Sequence, residues 1–218
     1  MRAEEVRAIC WDVGGVFSGT PHAAIASLAS EHDIAASALS DAVFGRFDLD
    51  TDHPWHRLER GELELRDGWP LIEAEVAALG SELTLRDIFR RISSSGGDRT
   101  EVVALVREAH DAGICNAVIT NNVREFADMG DGRGWHRWVP LELMRVVTDS
   151  SVIGIRKPDP AIYIHTLSEL GVDPHEAAFV DDTAVNVEAA AALGMHGVLI
   201  EHELAPALER IRAIAGLS

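Results

Sequence analysis

Carboxylate side chains follow two short apolar runs of this sequence. Asp12 comes after Ala8–Trp11, and the pair Asp181-Asp182 comes after Phe179-Val180. Adjacent carboxylates repel each other unless a cation lies near them, and a hard ion such as Mg²⁺ prefers oxygen ligands. The acidic pair therefore predicts a magnesium site. Asp12 alone is equally consistent with a helix cap or a turn.

Two further positions could bind an anion. Thr120-Asn121 ends the apolar run Ala117–Ile119, where a hydroxyl and amide groups could hold phosphate oxygens, although Thr-Asn is also common turn chemistry. Lys157 lies in Ile155-Arg-Lys-Pro-Asp-Pro160 and is the single lysine beside eighteen arginines. Its compact charge fits a tight site that a planar guanidinium cannot fill, which favours a functional role over a surface charge.

Apolar runs alternate with helical patterns, which is typical of a parallel sheet flanked by helices. The sequence predicts strands at 8–11, 114–119, 145–148, 177–180 and 197–200. It predicts helices at 23–31, 62–79, 100–112 and 184–193, with Asp98 and Glu101 as a capping box for the third. All four positions, Asp12, Thr120-Asn121, Lys157 and the acidic pair, would lie at carboxyl ends of strands, the edge where such sheets bind ligands.

The interval from Thr20 to Ile92 contains helical patterns and no run of strand residues. It begins after Ser18-Gly-Thr-Pro21 and ends at Ser93-Ser-Ser-Gly-Gly97, both plausible hinges. We therefore predict an α/β protein with a Rossmann-like parallel-sheet core at 1–19 and 96–218. A small all-helical cap at 20–95 would cover the end of the first strand.

The four positions occur in the order of the four motifs of the haloacid dehalogenase (HAD) superfamily, which the sequence resembles. The similar segments are Asp12-Val-Gly-Gly-Val, Thr120-Asn121, Lys157-Pro-Asp-Pro and Val180-Asp-Asp182. The match covers residues 6–17 and about 100–200. The inserted interval is similar in position, in helical character and in the segment Leu58-Glu-Arg-Gly-Glu62, which resembles the helical caps of subfamily I phosphatases.

The resemblance implies a role for each motif. Asp12 would be the nucleophile that forms an aspartyl-phosphate, and Lys157, Thr120 and the Asn121 backbone would hold the phosphoryl group. Asp12, the Gly14 carbonyl and Asp182 would bind Mg²⁺, with Asp181 acting through water or from outside the ligand set. The resemblance thus implies a magnesium-dependent phosphomonoester hydrolase.

Position 14 departs from the phosphatase pattern, which usually has a second aspartate there as general acid and base. Gly14 keeps a backbone carbonyl but has no proton to give, and acid–base catalysis is typically worth a factor of about 10²–10⁴. A slow phosphatase and a non-catalytic, regulatory phosphate-binding protein both stay open. The acidic pair disfavours the metal-free dehalogenases, and the absence of a cap lysine excludes a phosphonate hydrolase that uses a Schiff base.

Composition limits the partners. The 218 residues include 36 acidic and 19 basic ones, a formal net charge of −17 that would repel nucleic acid and anionic lipid. No apolar run is long enough to span a membrane and no signal peptide is evident, so we expect a cytoplasmic monomer or homodimer with a small phosphorylated substrate.

Two cap features remain. Asp48-Leu-Asp50-Thr-Asp52, with Glu59 at the twelfth position, partly resembles an EF-hand calcium loop, but His53 stands where that loop needs glycine. Substrate specificity would lie in the cap, where Trp55, Arg57 and Arg60 are candidate substrate contacts.

Overall fold

A sheet of five parallel strands forms the centre of the computed structural model, which describes residues 5–95, 98–127, 134–201 and 203–217. The strand order is β3-β2-β1-β4-β5. The bounds are β1 Ala8–Trp11, β2 Cys115–Thr120, β3 Met144–Asp149, β4 Ala177–Asp181 and β5 His196–Leu199. All five predicted strands are present, and each end lies within one residue of its predicted position.

Alternation along the strands produces two apolar layers, one on each face of the sheet. Ile9 and Trp11 belong to one hydrophobic cluster, while Ala8 and Cys10 belong to the other. Successive side chains of a strand point to opposite faces, so a strand buried on both sides reads as a continuous apolar run. This explains why the central strand β1 was evident in the sequence as an apolar run. The edge strand β3 gives a weaker signal, because most of its residues alternate between half-buried and exposed.

Helices flank the sheet and also fill the interval after β1. Those in the interval are α1 Pro21–Glu31, α2 Ala36–Phe44, α3 Pro54–Glu59, α4 Leu65–Ala77 and α5 Leu85–Ser95. The others are α6 Thr100–Asp111, α7 Arg124–Ala127, α8 Ser150–Ile153, α9 Pro160–Leu170, α10 Ala184–Ala192 and α11 Ala205–Ala215. None of the helices in the described ranges combines the length and the apolar character that crossing a membrane requires.

Two details of the predicted helices were wrong. The capping box at Asp98 and Glu101 is not formed: Arg99 is the N-cap of α6, and it makes no side-chain cap bond. The Arg99 amide instead donates to the carbonyl of Phe17, so a tertiary contact sets the helix start. The single helix predicted for 62–79 begins only at Leu65, because Gly61 adopts a left-handed φ of 67° after α3.

Helices α1–α5, which we call the cap, pack around a hydrophobic cluster separate from the two beside the sheet, and Val123 from the core also belongs to it. It contains Leu39, Leu58, Ile72, Val76 and Ile88, each no more than 1% exposed. The proposed domain division at 19/20 and 95/96 stays a prediction. Of the predicted second hinge, Gly96 and Gly97 lie outside the described residues, as do residues 1–4 of the predicted core.

Candidate active site

Three of the predicted site segments meet at one edge of the sheet. In the parallel register Trp11 pairs with Val118 of β2 and with Val180 of β4, so the residues that follow these strands share one edge. Asp12 follows β1, Thr120 ends β2, and Asp181 ends β4. The predicted strand-end position of Lys157 was wrong, because helix α8 separates this residue from the end of β3. This edge is the carboxyl edge of the sheet, where parallel α/β proteins bind ligands.

Lys157 joins two of the carboxylates. Its Nζ atom donates to Asp12 Oδ1 at 2.6 Å and to Asp181 Oδ2 at 2.7 Å. The Lys157 side chain is 2% exposed and that of Asp181 is 0% exposed. Burying these charges is tolerable only because they compensate one another.

Asn121 fixes the backbone that carries this lysine. Its Oδ1 atom accepts a hydrogen bond from the Lys157 amide at 2.8 Å, and its Nδ2 atom donates to the Lys157 carbonyl at 3.0 Å. The second motif therefore does more than the sequence indicated, because its side chain positions Lys157 while its own backbone stays at the strand end.

The two adjacent aspartates differ in their surroundings. Asp181 accepts hydrogen bonds from Lys157, from the Thr183 amide at 2.7 Å and from Asn186 Nδ2 at 3.1 Å. Asp182 has a buried Oδ2 atom that no hydrogen bond satisfies within the described part of the chain. A buried oxygen without a donor is costly, and this one is therefore suited to a cation.

Asp12, Asp181 and Asp182 each place an oxygen within 4.8 Å of the others. Burial, together with the charges of Asp181 and Asp182, raises the pKa of Asp12 to about 8 against the opposing effect of Lys157. Burial and Asp181 also raise the pKa of Asp182. One lysine cannot neutralise three carboxylates, so the donor set fits a divalent ion with oxygen ligands such as Mg²⁺.

Gly15, which the sequence analysis had not assigned a role, shapes the metal side of the site. Its φ is 75°, and a Cβ atom there would lie 1.9 Å from Asp182 Oδ2. Its carbonyl accepts a hydrogen bond from the Arg99 guanidinium. Around Gly14, in contrast, an added Cβ would meet no atom within 4 Å. The glycine pair was a visible signal, but its two members differ in a way that only the fold reveals.

The acidic loop of the cap is paired with arginines. Asp48 accepts two hydrogen bonds from Arg46, and Asp50 accepts one from Arg60. Two of the carboxylates that would form a calcium loop, Asp48 and Asp50, are thus already compensated by cationic side chains.

The candidate specificity residues have different surroundings. Trp55 is 8% exposed and packs in the cap cluster, which leaves little of it for a substrate. Arg60 is 11% exposed and bonded to Asp50 and Glu62, whereas Arg57 is 39% exposed. Arg57 is the most accessible of the three.

Comparison with known proteins agrees with the geometry. A family model described as haloacid dehalogenase-like hydrolase matches residues 6–194. A sesquiterpene phosphatase of Aspergillus oryzae, astK, is 30% identical over 163 residues, which cover 74% of this chain and 79% of that protein. Bifunctional epoxide hydrolase 2 of Mus musculus is 25% identical over 97% of this chain, which spans 39% of that longer protein.

The fold is also shared with solved structures. The HAD family enzyme bt-2542 of Bacteroides thetaiotaomicron, crystallised in complex with magnesium and inorganic phosphate, superposes with a TM-score of 0.57. It is 15% identical to this chain, and the alignment covers 90% of this chain and 94% of that one. The family match, the parallel sheet and the cluster at its carboxyl edge lead to one conclusion: this chain belongs to the haloacid dehalogenase-like hydrolase family.

Proposed function

We propose that the protein is a magnesium-dependent phosphatase of small phosphorylated metabolites, with Asp12 as the nucleophile. One observation carries this proposal: Asp12 lies between the Lys157 ammonium and Asp182 Oδ2, which has no hydrogen-bond partner among the described residues, so that the ammonium and a Mg²⁺ held by Asp182 would flank a phosphoryl group on Asp12. The 30% identity to a phosphatase supports the same chemistry. The magnesium and phosphate bound by bt-2542 support this cofactor and ligand.

The first chemical step would be attack of an Asp12 carboxylate oxygen on phosphorus. The new O–P bond forms as the bond from phosphorus to the leaving oxygen breaks. The leaving oxygen keeps the electron pair of that bond and takes a proton from solvent or from a hydroxyl group of the substrate itself. Lys157, the Thr120 hydroxyl and the Asn121 amide would hold the phosphoryl oxygens and offset their charge.

The second step would regenerate the enzyme. Water attacks the phosphorus of the aspartyl-phosphate and loses a proton to bulk solvent, the bond from phosphorus to the Asp12 oxygen breaks, and inorganic phosphate is released. Asp12, the Gly14 carbonyl and Asp182 would hold Mg²⁺, which supplies charge neutralisation when bound. Asp181 is engaged by three donors and would act by holding Lys157 in place.

Gly14 supports a second candidate, a phosphate-binding regulatory protein without turnover. No side chain at position 14 can give a proton to the leaving group or take one from water. The groups that would bind phosphate and Mg²⁺, including the Gly14 carbonyl, do not require a side chain at position 14, so binding and turnover are separable.

A screen of phosphorylated metabolites, with Mg²⁺ and with chelator, distinguishes the two. The enzyme releases phosphate only with Mg²⁺, and Asp12→Asn abolishes that release. Asp111→Asn, at an exposed aspartate that ends α6 on the amino side of β2, is the matched control and retains activity. Phosphate release that survives Asp12→Asn would remove Asp12 as the nucleophile, and binding without release on every substrate would favour the regulatory candidate.

A further inference from the structure

Two oppositely charged side chains are buried together between the cap and the core. Arg156, directly before Lys157, donates from Nε to Glu59 Oε2 at 2.7 Å. The side chains are 2% and 9% exposed. The partners are 97 positions apart, and Glu59 comes from cap helix α3. A charge pair removed from water requires close geometry, because its attraction must offset the loss of hydration.

The cap holds Glu59 in one orientation. Its Oε1 atom accepts a hydrogen bond from the Trp55 indole at 2.8 Å. Trp55 stacks on Phe89 with ring centroids 5.6 Å apart and meets Phe44 edge-on at 5.1 Å. Because α3 carries both Trp55 and Glu59, the aromatic packing of the cap determines where the carboxylate lies.

The core side of the pair continues directly into the phosphate site. Arg156 restrains the chain immediately before Lys157, and the two hydrogen bonds of Asn121 restrain the Lys157 backbone itself. The backbone that carries the Lys157 ammonium is therefore restrained at residue 157 and at the residue before it.

The segment after Asn121 also contacts the cap. Val123 is 2% exposed in the hydrophobic cluster of the cap, and Phe126 lies 6.2 Å from Trp55 and 5.8 Å from Phe89 between ring centroids. Both segments that would hold the phosphoryl group thus continue into residues that the cap fixes.

We propose that Arg156 and Glu59 form a positioning pair, through which the cap sets the place of Lys157 and with it the affinity for phosphate. Neither side chain needs to touch the substrate. This inference rests on the proposed phosphate site and adds two residues to it, one of them in the cap. It also makes phosphate affinity depend on how the cap is seated, because the pair is complete only when α3 lies against the Arg156 segment.

A purely structural role is the competing account, and a double variant separates the two. Glu59→Gln with Arg156→Met removes both buried charges, leaves an acceptor for the Trp55 indole and avoids an orphaned ion. Replacing buried ion pairs by uncharged groups of similar volume is often neutral for stability. The double variant should therefore fold, while losing the directed contact that places Lys157.

The experiment is calorimetric titration of inorganic phosphate in the presence of Mg²⁺, with thermal unfolding measured for each variant. We expect the double variant, and Glu59→Gln alone where it folds, to bind phosphate about tenfold more weakly than the unchanged protein. With an aryl phosphate, kcat should fall together with the phosphate affinity. The matched control is Glu125→Ala, which loses a different cap–core hydrogen bond, from the Leu65 amide at 2.8 Å, and should bind phosphate as the unchanged protein does.

A folded double variant with unchanged phosphate affinity would overturn the positioning role and leave the proposed function intact. An equal loss in Glu125→Ala would also overturn it, because any cap–core contact would then matter. If the unchanged protein binds no phosphate in Mg²⁺, the proposed function fails and this inference fails with it.

Discussion

The carboxylate of Asp182 lies against the Cα atom of Gly15, so close that a Cβ atom there would come within 1.9 Å of Asp182 Oδ2. Gly15→Ala must therefore move the aspartate, and it must also strain a backbone with φ of 75°. We expect Mg²⁺ binding, measured by calorimetry, to weaken at least about tenfold. Gly14→Ala is the comparison, since its Cβ meets no atom within 4 Å, and should weaken binding less. Equal affinities of the two variants would contradict the role given to Asp182.

Asp182 and Asp181 should differ as metal ligands. Among the residues that the structure describes, none donates to the buried Oδ2 atom of Asp182, whereas Asp181 is bonded to Lys157, Thr183 and Asn186. Asp182→Asn should weaken Mg²⁺ binding by at least about tenfold and Asp181→Asn by less. A calorimetric titration in which Asp181→Asn has the larger effect would reverse this assignment.

Removing Lys157 should reveal the repulsion among the three carboxylates. In chelator, Lys157→Met leaves Asp12 and Asp181 buried without their cation, so the free energy of unfolding should fall by about 3–5 kcal/mol. Added Mg²⁺ should restore part of that loss, because an ion that binds only the folded chain stabilises it. Urea unfolding with and without Mg²⁺ measures both effects. Arg66→Met, at a side chain 76% exposed, should change stability by no more than about 0.5 kcal/mol. If Lys157→Met lost no more stability than Arg66→Met, the explanation would be refuted.

His56 should make the protein less stable in acid. Its side chain is 0% exposed and Nδ1 accepts from the Thr51 amide at 3.1 Å, while burial and the charge of Arg156 lower the pKa of His56 to about 3. An unfolded histidine has a pKa of about 6.5. Between these two values the unfolded chain binds a proton that the folded chain does not, so this contribution is complete above about pH 6.5 and declines as the pH falls.

The slope of that decline is testable. His56 alone should cost up to about 1.4 kcal/mol per pH unit below about pH 6. His56→Asn keeps an acceptor near the Thr51 amide and should flatten the dependence of unfolding free energy on pH between 6 and 5. His110→Gln, at an exposed position, should leave the slope unchanged. Parallel curves for His56→Asn and the unchanged protein would show that His56 does not titrate in this way.

Gly14→Asp should supply the acid and base that the site lacks. The space beside Gly14 is open, so the carboxylate can be added without moving a neighbour of its Cβ atom. Without a carboxylate at position 14, attack of water on the aspartyl-phosphate should be slowed more than attack of Asp12 on an activated aryl phosphate, whose leaving group needs little protonation. We therefore expect a burst of leaving-group release in the unchanged protein and faster steady turnover, with a smaller burst, in Gly14→Asp. A larger burst or slower turnover in that variant would contradict this explanation.

The sheet and the four site segments could be predicted from the sequence because their signals are local. Strands buried on both faces appear as apolar runs, and Asp12, Thr120 and Asp181 lie at the ends of such runs. Long-range partners carry no such signal. Glu59 was placed in a possible calcium loop, but the fold brings it to Arg156, and nothing near either residue identifies the other.

The difference between the two glycines also required the fold. Both follow the same aspartate, yet Asp182, from the other half of the chain, lies against Gly15 and away from Gly14. The capping box failed for a similar reason, because the contacts of Arg99 with Phe17 and Gly15 determine where α6 begins.

The central claim is that Asp12 carries the phosphoryl group, and trapping the intermediate tests it most directly. The protein, in Mg²⁺, is mixed with an activated aryl phosphate, quenched in acid within the burst and digested for mass spectrometry. The account predicts a phosphoryl group on the Asp12 peptide at up to one per chain, and none in Asp12→Asn or in chelator. Phosphate release that continues with no label on Asp12, or with the label on another residue, would contradict it.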